Sequence, residues 1–305
     1  MRPPGIKILL LGGNGQLGKA LKVTLPQLGQ LVCAHPRHGD KADALTVDLM
    51  QVERIKGCLR WVQPDVVVNA AAYTSVDQAQ TEPYVARAIN AIAPTVLAGE
   101  LQKTGGLLIH YSTDYVFDGR ASRAYKPEDE PSPINVYGET KLAGELGIRQ
   151  SGVDHLILRT SMVYDATSRN FATTMIELLK RGKTLKVVDD QITSPTWSKA
   201  LALYTTSVLG TLVEDDRISL QSRGGTYHVA GTGHCSRYEF VKRLAARPTL
   251  GKSQVRPVPT KEFPTPAKRP PFSVLDCSHS HQTFGVSMDR WESHLDQVLD
   301  ELRIY

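Results

Sequence analysis

Two side chains one helical turn apart have the types needed for acid–base chemistry. Tyr137 and Lys141 form a Tyr-x-x-x-Lys spacing at the start of a segment with helical periodicity, so they share one face of the predicted helix. A phenol has a pKa of about 10 in water, and a neighbouring ammonium favours the phenolate and lowers that pKa. Tyr137 can then give or take a proton near neutral pH. The pair predicts a catalytic acid–base centre.

A hydroxyl group follows a predicted strand in the middle of the chain. The strand at residues 107–112 runs directly into Thr113 and Asp114, and ligands of open α/β sheets gather where the strands end. Thr113 could donate a hydrogen bond to a reacting carbonyl oxygen. The structural alternative for Ser112 and Thr113 is capping of a local turn.

A glycine-rich loop lies near the N-terminus. Gly12, Gly15 and Gly18 follow a predicted strand at residues 6–11 and open the first predicted helix. This spacing suits a tight turn, backbone close enough to touch a pyrophosphate, and close packing of helix on strand. The start of the helix adds unpaired N–H groups and a positive dipole end. Glycines also serve ordinary tight turns, but in this position they predict a dinucleotide site.

The end of the second predicted strand bears on which dinucleotide is bound. The chain there reads His-Pro-Arg-His at residues 35–38, and the first acid comes only at Asp40. An acid normally binds the free ribose hydroxyls of NAD(H), whereas Arg37 can pair with a 2′-phosphate and favours NADP(H). A solvated basic loop is the alternative. Asp48 is predicted to reach the edge of the adenine ring. The small residues after Asn69 would let the backbone approach the cofactor closely; the alternative is that they are small only for packing.

The elements that position these groups alternate between strand and helix. Long segments with helical spacing separate short aliphatic runs. This alternation predicts βαβ crossovers and a doubly wound, Rossmann-like parallel sheet. The predicted strands are residues 6–11, 31–34, 66–69, 107–112 and 156–160, and the predicted helices are residues 17–28, 52–62, 83–102 and 137–149.

Beyond about residue 165 the alternation weakens. Helical spacing returns only at intervals, and a polar loop is predicted at residues 214–225. Residues 263–271 are too rich in proline to form a regular helix or strand. We therefore expect a dinucleotide-binding domain at residues 1–165, to which some later segments return. Residues 166–305 are expected to form a smaller α/β lobe that completes a cleft.

Composition narrows the class of protein. The chain has 305 residues, of which 41% are apolar and 22% charged, as in ordinary globular proteins. A net charge of +5, spread along the chain, suits phosphorylated small molecules, with nucleic acid as a weaker alternative. The four cysteines are far apart and predict neither a metal site nor a disulfide framework. No secretory or membrane-spanning segment is expected, which favours a cytoplasmic protein.

Taken together, the motifs resemble the extended short-chain dehydrogenase/reductase family. Within it they are most similar to the branch that reduces the keto group of dTDP-linked 4-keto-6-deoxy sugars. The resemblance covers nearly the whole chain. The blocks that carry it are residues 13–18, 69–77, 111–119, 135–145, 159–161, 170–171, 189–191, 194–196 and 263–270.

The resemblance implies a role for each matching residue. Tyr137 would be the proton donor, Lys141 its partner that also holds the nicotinamide ribose, and Thr113 a contact of the sugar carbonyl. Besides Arg37, Tyr137 and Lys141, the implied cofactor-binding residues are Gly12, Gly15, Gln16, Leu17, Gly18, Asp48, Leu49, Ala71, Ala72, Tyr73, Thr74 and Tyr111. The implied substrate-binding residues are Thr113, Asp114, Met162, Asn170 and Arg269.

The resemblance also implies a reaction. NADPH, or NADH in a family that tolerates both, would reduce C4 of dTDP-4-dehydro-6-deoxy-L-mannose to give dTDP-L-rhamnose. Residues 166–305 would hold the nucleotide-sugar. Met162 stands where the family usually has a tryptophan, and Lys19 and Ala20 stand where some relatives have an acid linked to metal-bridged dimers. We therefore predict no metal, and a homodimer stays possible.

Two other functions stay open for this scaffold. One is an epimerase or dehydratase of nucleotide-sugars, which regenerates its cofactor in each cycle. The other is a cofactor-binding subunit with little turnover, because the chain resembles, more distantly, the regulatory β subunit of methionine adenosyltransferase. The presence of Thr113, Tyr137 and Lys141 favours the reductase over that subunit.

Overall fold

The computed structural model describes residues 5–35, 45–215 and 217–304. Its central element is a sheet of seven parallel strands. The strands are β1 (Ile6–Leu11), β2 (Gly29–His35), β3 (Leu45–Thr46), β4 (Val66–Asn69), β5 (Leu107–Thr113), β6 (His155–Thr160) and β7 (Gly225–His228). Their order across the sheet is β7-β6-β5-β4-β1-β2-β3. The strand order reverses between β1 and β4, which makes this the switch point where ligands of such sheets bind.

Helices cover both faces of this sheet, and the strands are aliphatic because both faces are buried. Leu10 of β1 packs in one apolar cluster and its neighbour Leu9 in another, on opposite faces. Strands buried on both faces read as continuous apolar runs. The helices are α1 (Gln16–Thr24), α2 (Val52–Val62), α3 (Val76–Thr81), α4 (Pro83–Arg87), α5 (Ala93–Gln102), α6 (Val136–Ser151), α7 (Phe171–Lys180), α8 (Ser198–Gly210), α9 (Arg237–Ala245), α10 (Ser278–Phe284) and α11 (Trp291–Glu301). The predicted doubly wound fold is confirmed.

Residues after position 165 contribute both to the sheet and to a separate set of short strands. Strand β7 extends the sheet beside β6, and α8 packs against α1. Sequence reasoning missed β7 because its sequence, Gly-Thr-Tyr-His, lacks an aliphatic run. At the start of the predicted polar loop lies a short antiparallel pair, Val213–Glu214 with Arg217–Ile218, whose first residue precedes that loop. None of the described helices is long and apolar enough to cross a bilayer.

The strand register brings the candidate site residues to one edge. Leu11 of β1 lies beside Asn69 of β4, and Asn69 lies beside His110 of β5. Strand β5 continues to Thr113, which pairs with Thr160 of β6. The glycine loop after β1 and the hydroxyl of Thr113 at the end of β5 therefore lie at the same edge of the sheet, where the strands end.

Candidate active site

A cavity of about 770 Å³ opens at the carboxyl ends of β1, β4 and β5. Its size lies within the range typical of small-molecule sites. Most of the predicted cofactor-binding residues line it: Gly12, Gly15, Gln16, Leu17, Asp48, Leu49, Ala71, Ala72, Thr74, Tyr111, Tyr137 and Lys141. Gly18 is not among its lining residues, and neither is Tyr73, whose hydroxyl donates to Glu82 Oε2 at 2.5 Å. Arg37 lies outside the described residues.

The glycine loop forms a cradle that side chains would fill. Gly12 has φ 80°, in the left-handed region, and a Cβ atom there would lie 2.5 Å from the backbone nitrogen of Ala71. A Cβ atom at Gly18 would collide with the carbonyl oxygen of Gly12. Gln16 Oε1, at the start of α1, is buried without a hydrogen-bond partner. An open cradle at a helix N-terminus, where the first backbone N–H groups have no partner within the helix, fits the pyrophosphate of a dinucleotide.

Cationic groups that sequence reasoning missed stand beside this cradle. Lys19 and Arg169 both line the cavity, and Lys19 Nζ donates to Ser168 Oγ at 3.0 Å. Lys22 Nζ donates to Asn14 Oδ1 at 3.2 Å. A glycine loop flanked by positive charges suits an anionic ligand. Their signal in the sequence was weak, because lysines on a helix surface are usually only solvated.

Tyr137 lies in the first turn of α6, where the helix begins at a side-chain cap. Asn135 Oδ1 accepts from Gly138 N at 2.8 Å, and Asn135 Nδ2 donates to the carbonyl oxygen of Lys268 at 2.8 Å. Burial raises the pKa of Tyr137 above its usual value, and a hydrogen bond with Thr113 opposes that rise. The phenol is therefore protonated near neutral pH. Thr113 and Tyr137, predicted to act together, are in contact.

Lys141 is buried one turn further along α6. Its Nζ donates to the carbonyl oxygen of Tyr111 at 2.6 Å and lies 3.2 Å from His110 Nε2. Burial lowers the pKa of Lys141 to about 8, although the carboxylate of Glu145 opposes the change. Our expectation that this ammonium lowers the pKa of Tyr137 is not met, because burial raises that pKa and Lys141 does not offset the rise.

Asp114 anchors the end of β5 to three other segments. Its Oδ2 accepts from Ser161 Oγ at 2.7 Å and from Ser273 Oγ at 2.5 Å, and Thr193 Oγ1 is also within reach. Its Oδ1 accepts from Thr113 Oγ1 at 3.1 Å. Burial raises the pKa of Asp114, and these hydroxyls oppose the rise. The network fixes the orientation of Thr113. Sequence reasoning missed the serines because they come from distant parts of the chain.

The other predicted substrate residues are placed differently. Met162 follows β6 with φ 41°, a left-handed conformation that strains a non-glycine residue and often marks a functional site. Asn170 is the N-cap of α7, and its amide Nδ2 donates to Asp165 Oδ1 and to the carbonyl oxygen of Ser168, both at 2.9 Å. The Asn170 side chain is thus occupied by its own loop.

Arg269 forms a bidentate ion pair with Asp77. The two Nη–Oδ distances are 2.6 and 2.7 Å. This pairing raises the pKa of Arg269 and lowers the pKa of Asp77. Arg269 also hydrogen-bonds with Tyr115, whose ring packs edge-on against Tyr137 at 5.9 Å between centroids. The arginine therefore lies close to Tyr137 although its charge is already paired.

A buried ion pair lies beneath the site and was also missed. Glu145 of α6 is 0% exposed, and Arg159 of β6 is 2% exposed. Arg159 Nη2 donates to Glu145 Oε2 at 2.7 Å, and Ser112 Oγ donates to Glu145 Oε1 at 2.5 Å. Burial by itself raises the pKa of Glu145, but Arg159, together with Ser112 and Arg149, outweighs it and the net shift is downward. The pair fastens α6 to β6, and the hydrogen bond from Ser112 adds the end of β5.

Gly12→Ala tests the cradle. The new Cβ meets the backbone of Ala71, and alanine is strained at φ 80°, so we expect a loss of about 2 kcal/mol in the free energy of unfolding. NADPH affinity should fall about tenfold, equal to ~1.4 kcal/mol. Gly57→Ala in α2 is the control, because nothing lies within 4 Å of its Cβ position. It should bind NADPH normally. Equal NADPH affinity in both variants would contradict the cradle.

Comparisons with known proteins agree with this geometry. The model of the family described as RmlD substrate binding domain matches residues 6–304. A dTDP-4-dehydrorhamnose reductase of Burkholderia thailandensis is 39% identical over 293 residues, which cover 94% of this chain and 95% of that protein. One of Escherichia coli is 36% identical over 303 residues, which cover 97% of this chain and 98% of that protein.

A solved structure is also similar over its full length. The dTDP-4-dehydrorhamnose reductase of Bacillus anthracis, crystallised in complex with NADP, superimposes with a TM-score of 0.87. It is 33% identical, and the match covers 97% of this chain and 99% of that one. The family resemblance predicted from the motifs is confirmed. The chain belongs to the family of the RmlD substrate binding domain.

Proposed function

We propose that the protein is an NADPH-dependent reductase of the C4 keto group of dTDP-4-dehydro-6-deoxy-L-mannose, and that its product is dTDP-L-rhamnose. The single observation that carries the proposal is the contact between Thr113 and a protonated Tyr137 at one end of a cavity whose other end is a dinucleotide cradle. The reductase names of the relatives and the NADP complex of the Bacillus anthracis protein support the choice of reaction and cofactor.

The reaction needs a hydride, a proton and stabilisation of charge. NADPH, when bound, supplies the hydride that adds to C4 of the sugar. Tyr137 donates its phenolic proton to the oxygen that becomes the C4 hydroxyl, and the Tyr137 phenolate remains. Thr113 Oγ1, whose one proton is donated to Asp114 Oδ1 in the structure, would turn that proton to the same oxygen and so stabilise its charge while the proton moves. Lys141, which lines the cavity, would hold the nicotinamide ribose in this proposal.

The cofactor would be held along the cavity. In this proposal the cradle at Gly12 and Gly15 binds the pyrophosphate, with Lys19 and Arg169 as its cationic neighbours. Asp48, Leu49, Ala71, Ala72 and Thr74 bind the remainder of the cofactor. Arg37 keeps its predicted role toward the 2′-phosphate.

The substrate would occupy the side of the cavity beyond Tyr137. Thr113, Asp114 and the strained Met162 line the approach to the sugar in this proposal. Residues 166–304, apart from β7 and α8, would hold the dTDP group. Asn170 would then act by shaping the loop before α7, because its side-chain amide is bonded within that loop. Arg269 would act through its ion pair with Asp77.

Consumption of NADPH with the keto-sugar, made in place from dTDP-glucose by the preceding enzymes, tests the proposal. We expect one NADPH oxidised for each product molecule, and a markedly higher kcat/KM with NADPH than with NADH. An epimerase or dehydratase would convert the sugar without net consumption of NADPH. Sugar turnover with unchanged NADPH absorbance would therefore overturn the proposal in favour of that alternative.

A further inference from the structure

Two arginines flank the hydroxyl of Tyr115, next to Tyr137. Arg237, the first residue of α9, and Arg269 both hydrogen-bond with this hydroxyl. The ring of Tyr115 packs edge-on against Tyr137 at 5.9 Å between centroids. Tyr137 lines the cavity, whereas Tyr115 and the two arginines are not among its lining residues. The two guanidiniums therefore lie beyond Tyr137 as seen from the glycine loop.

The two arginines differ in what balances their charges. Arg269 is paired with Asp77 through both Nη atoms, and one of them also donates to the carbonyl oxygen of Ala267 at 2.6 Å. Among the described residues, no carboxylate forms an ion pair with Arg237. Charged side chains are seldom buried without a partner, and Arg237 is half-buried. One positive charge is therefore open to an anion from outside the protein.

Asp114 is close enough for its charge to interact with Arg237, but its oxygens are bonded elsewhere. Burial raises the pKa of Asp114, and the hydroxyls around it and, more weakly, the charge of Arg237 oppose the rise. Its Oδ1 accepts from Thr113, and its Oδ2 accepts from Ser161 and Ser273. In the part of the chain that the structure describes, no hydrogen bond joins Asp114 to Arg237. The guanidinium therefore keeps donors for another acceptor.

Neighbours on both sides hold the Arg237 side chain in place. Its guanidinium carbon lies 4.8 Å from the ring centroid of Phe171, the first residue of α7, in a cation–π contact. Ser236 and Glu239 form a capping box that fixes the start of α9. An arginine that is already held in this way loses little further freedom when a ligand binds.

The Tyr115 hydroxyl supplies a second donor at the same place. Burial raises the pKa of Tyr115, and the charges of Arg237 and Arg269 do not offset the rise, so the phenol is neutral. A guanidinium has no acceptor atom, so the phenol oxygen accepts from both arginines and turns its own proton away from them. None of the described residues accepts this proton. A free O–H and an unpaired guanidinium thus converge.

We propose that Arg237 binds the diphosphate of the nucleotide-sugar and that the Tyr115 hydroxyl donates to the same group. This inference rests on the proposed function and names residues that recognise the charged part of its substrate. In a nucleotide-sugar only the sugar ring separates C4 from the phosphate on C1, so the diphosphate must lie close to the group that protonates the C4 oxygen. Tyr115 is the ring packed against Tyr137, which fits this spacing. A guanidinium matches two phosphate oxygens at once.

Titration with dTDP and with thymidine, each in saturating NADPH, isolates the contribution of the diphosphate. The cofactor fills the glycine cradle, so dTDP cannot bind there instead, and protein NMR measures weak binding of thymidine. In Arg237→Gln the dTDP affinity should fall about tenfold or more, because a charged hydrogen-bonded pair is lost, while the thymidine affinity should change less than about twofold. Arg60→Gln on α2, whose side chain is 67% exposed, is the matched control and should bind both ligands normally.

Two milder variants keep the inference testable if Arg237→Gln does not fold. Arg237→Lys retains the charge but not the paired donors, so its dTDP affinity should lie between those of the parent and Arg237→Gln. Tyr115→Phe keeps the ring and its contact with Tyr137 but loses the O–H. It should weaken dTDP about threefold or more and leave thymidine unchanged.

The kinetic readout and the contrary outcomes are equally specific. In Arg237→Gln, KM for the keto-sugar should rise about tenfold with little change in kcat, as expected for a group that binds substrate and transition state alike. Unchanged dTDP affinity would overturn the inference. So would equal weakening of dTDP and thymidine, because Arg237 would then only balance Asp114 or support the fold. Both results leave the proposed function intact, whereas a parent protein that binds NADPH but no dTDP would overturn the two together.

Discussion

Replacing Tyr137 with phenylalanine is expected to lower kcat about 10³-fold, the usual size of an acid–base contribution. Phenylalanine keeps the aromatic ring and its edge-on contact with Tyr115 but removes the hydroxyl that contacts Thr113. The proton for the sugar oxygen then has no donor. NADPH affinity, measured by fluorescence titration, should change less than about threefold, because the cradle at Gly12 is untouched.

Tyr84→Phe is the matched control for this change. Tyr84 is 87% exposed on α4, away from the cavity, so the same loss of a hydroxyl should leave kcat as it is. If Tyr137→Phe keeps more than about a tenth of the parent kcat, Tyr137 is not the proton donor. Unchanged NADPH affinity together with a large loss of kcat separates a chemical role from a failure to fold.

Replacing Arg159 with methionine should cost about 3–5 kcal/mol of the free energy of unfolding, because it leaves the Glu145 carboxylate buried without its main partner. Arg149 reaches Glu145 Oε2 at 3.2 Å but is partly exposed and cannot replace Arg159. The double variant Glu145→Leu/Arg159→Met removes both charges and should recover most of the loss. Urea unfolding measures all three proteins.

An exposed ion pair provides the control for Arg159→Met. Arg123 also makes two bonds with a carboxylate, Asp129, but its side chain is 57% exposed, and Arg123→Met should cost at most about 1 kcal/mol. Equal losses in the two single variants would show that burial does not make the Arg159 pair different. The comparison therefore tests whether the burial of the ion pair, and not the number of its hydrogen bonds, determines the loss in the free energy of unfolding.

The Arg159 pair also predicts how stability depends on pH. The pKa of Glu145 is lower in the folded protein than its usual value of about 4.3, so the folded protein binds fewer protons there. Its stabilising contribution is complete above that usual pKa and is lost as the pH falls through the lower folded value. The difference in stability between the parent and Arg159→Met should therefore shrink in acid.

The order of elements in the N-terminal half followed from periodicity. The runs at β1 and β4 are largely aliphatic because helices bury both faces of the sheet, and short, mostly apolar segments between helices are typical of such strands. The C-terminal part gave weaker signals. Strand β7 contains glycine, threonine and histidine and is specified by pairing with β6, which is tertiary information.

The candidate site was predicted as far as its residues lie within local motifs. The cradle and the Tyr137–Lys141 spacing are local, so sequence reasoning found them. The partners of Lys141 depend on the register between β4 and β5, which places Asn69 beside His110. A histidine inside the aliphatic strand β5 was the available signal, and it was not used. Likewise Ser273 reaches Asp114 from 159 residues away in the chain.

The most direct measurement of the central claim follows the hydride itself. The protein is incubated with the keto-sugar and NADPH that carries deuterium at the transferred position of the nicotinamide, and the product is examined by NMR. We predict one deuterium at C4 of the sugar in every product molecule, and none in the Tyr137→Phe protein beyond its slow turnover. Product without deuterium at C4, or deuterium that stays in the cofactor while the sugar is converted, would contradict the reductase assignment.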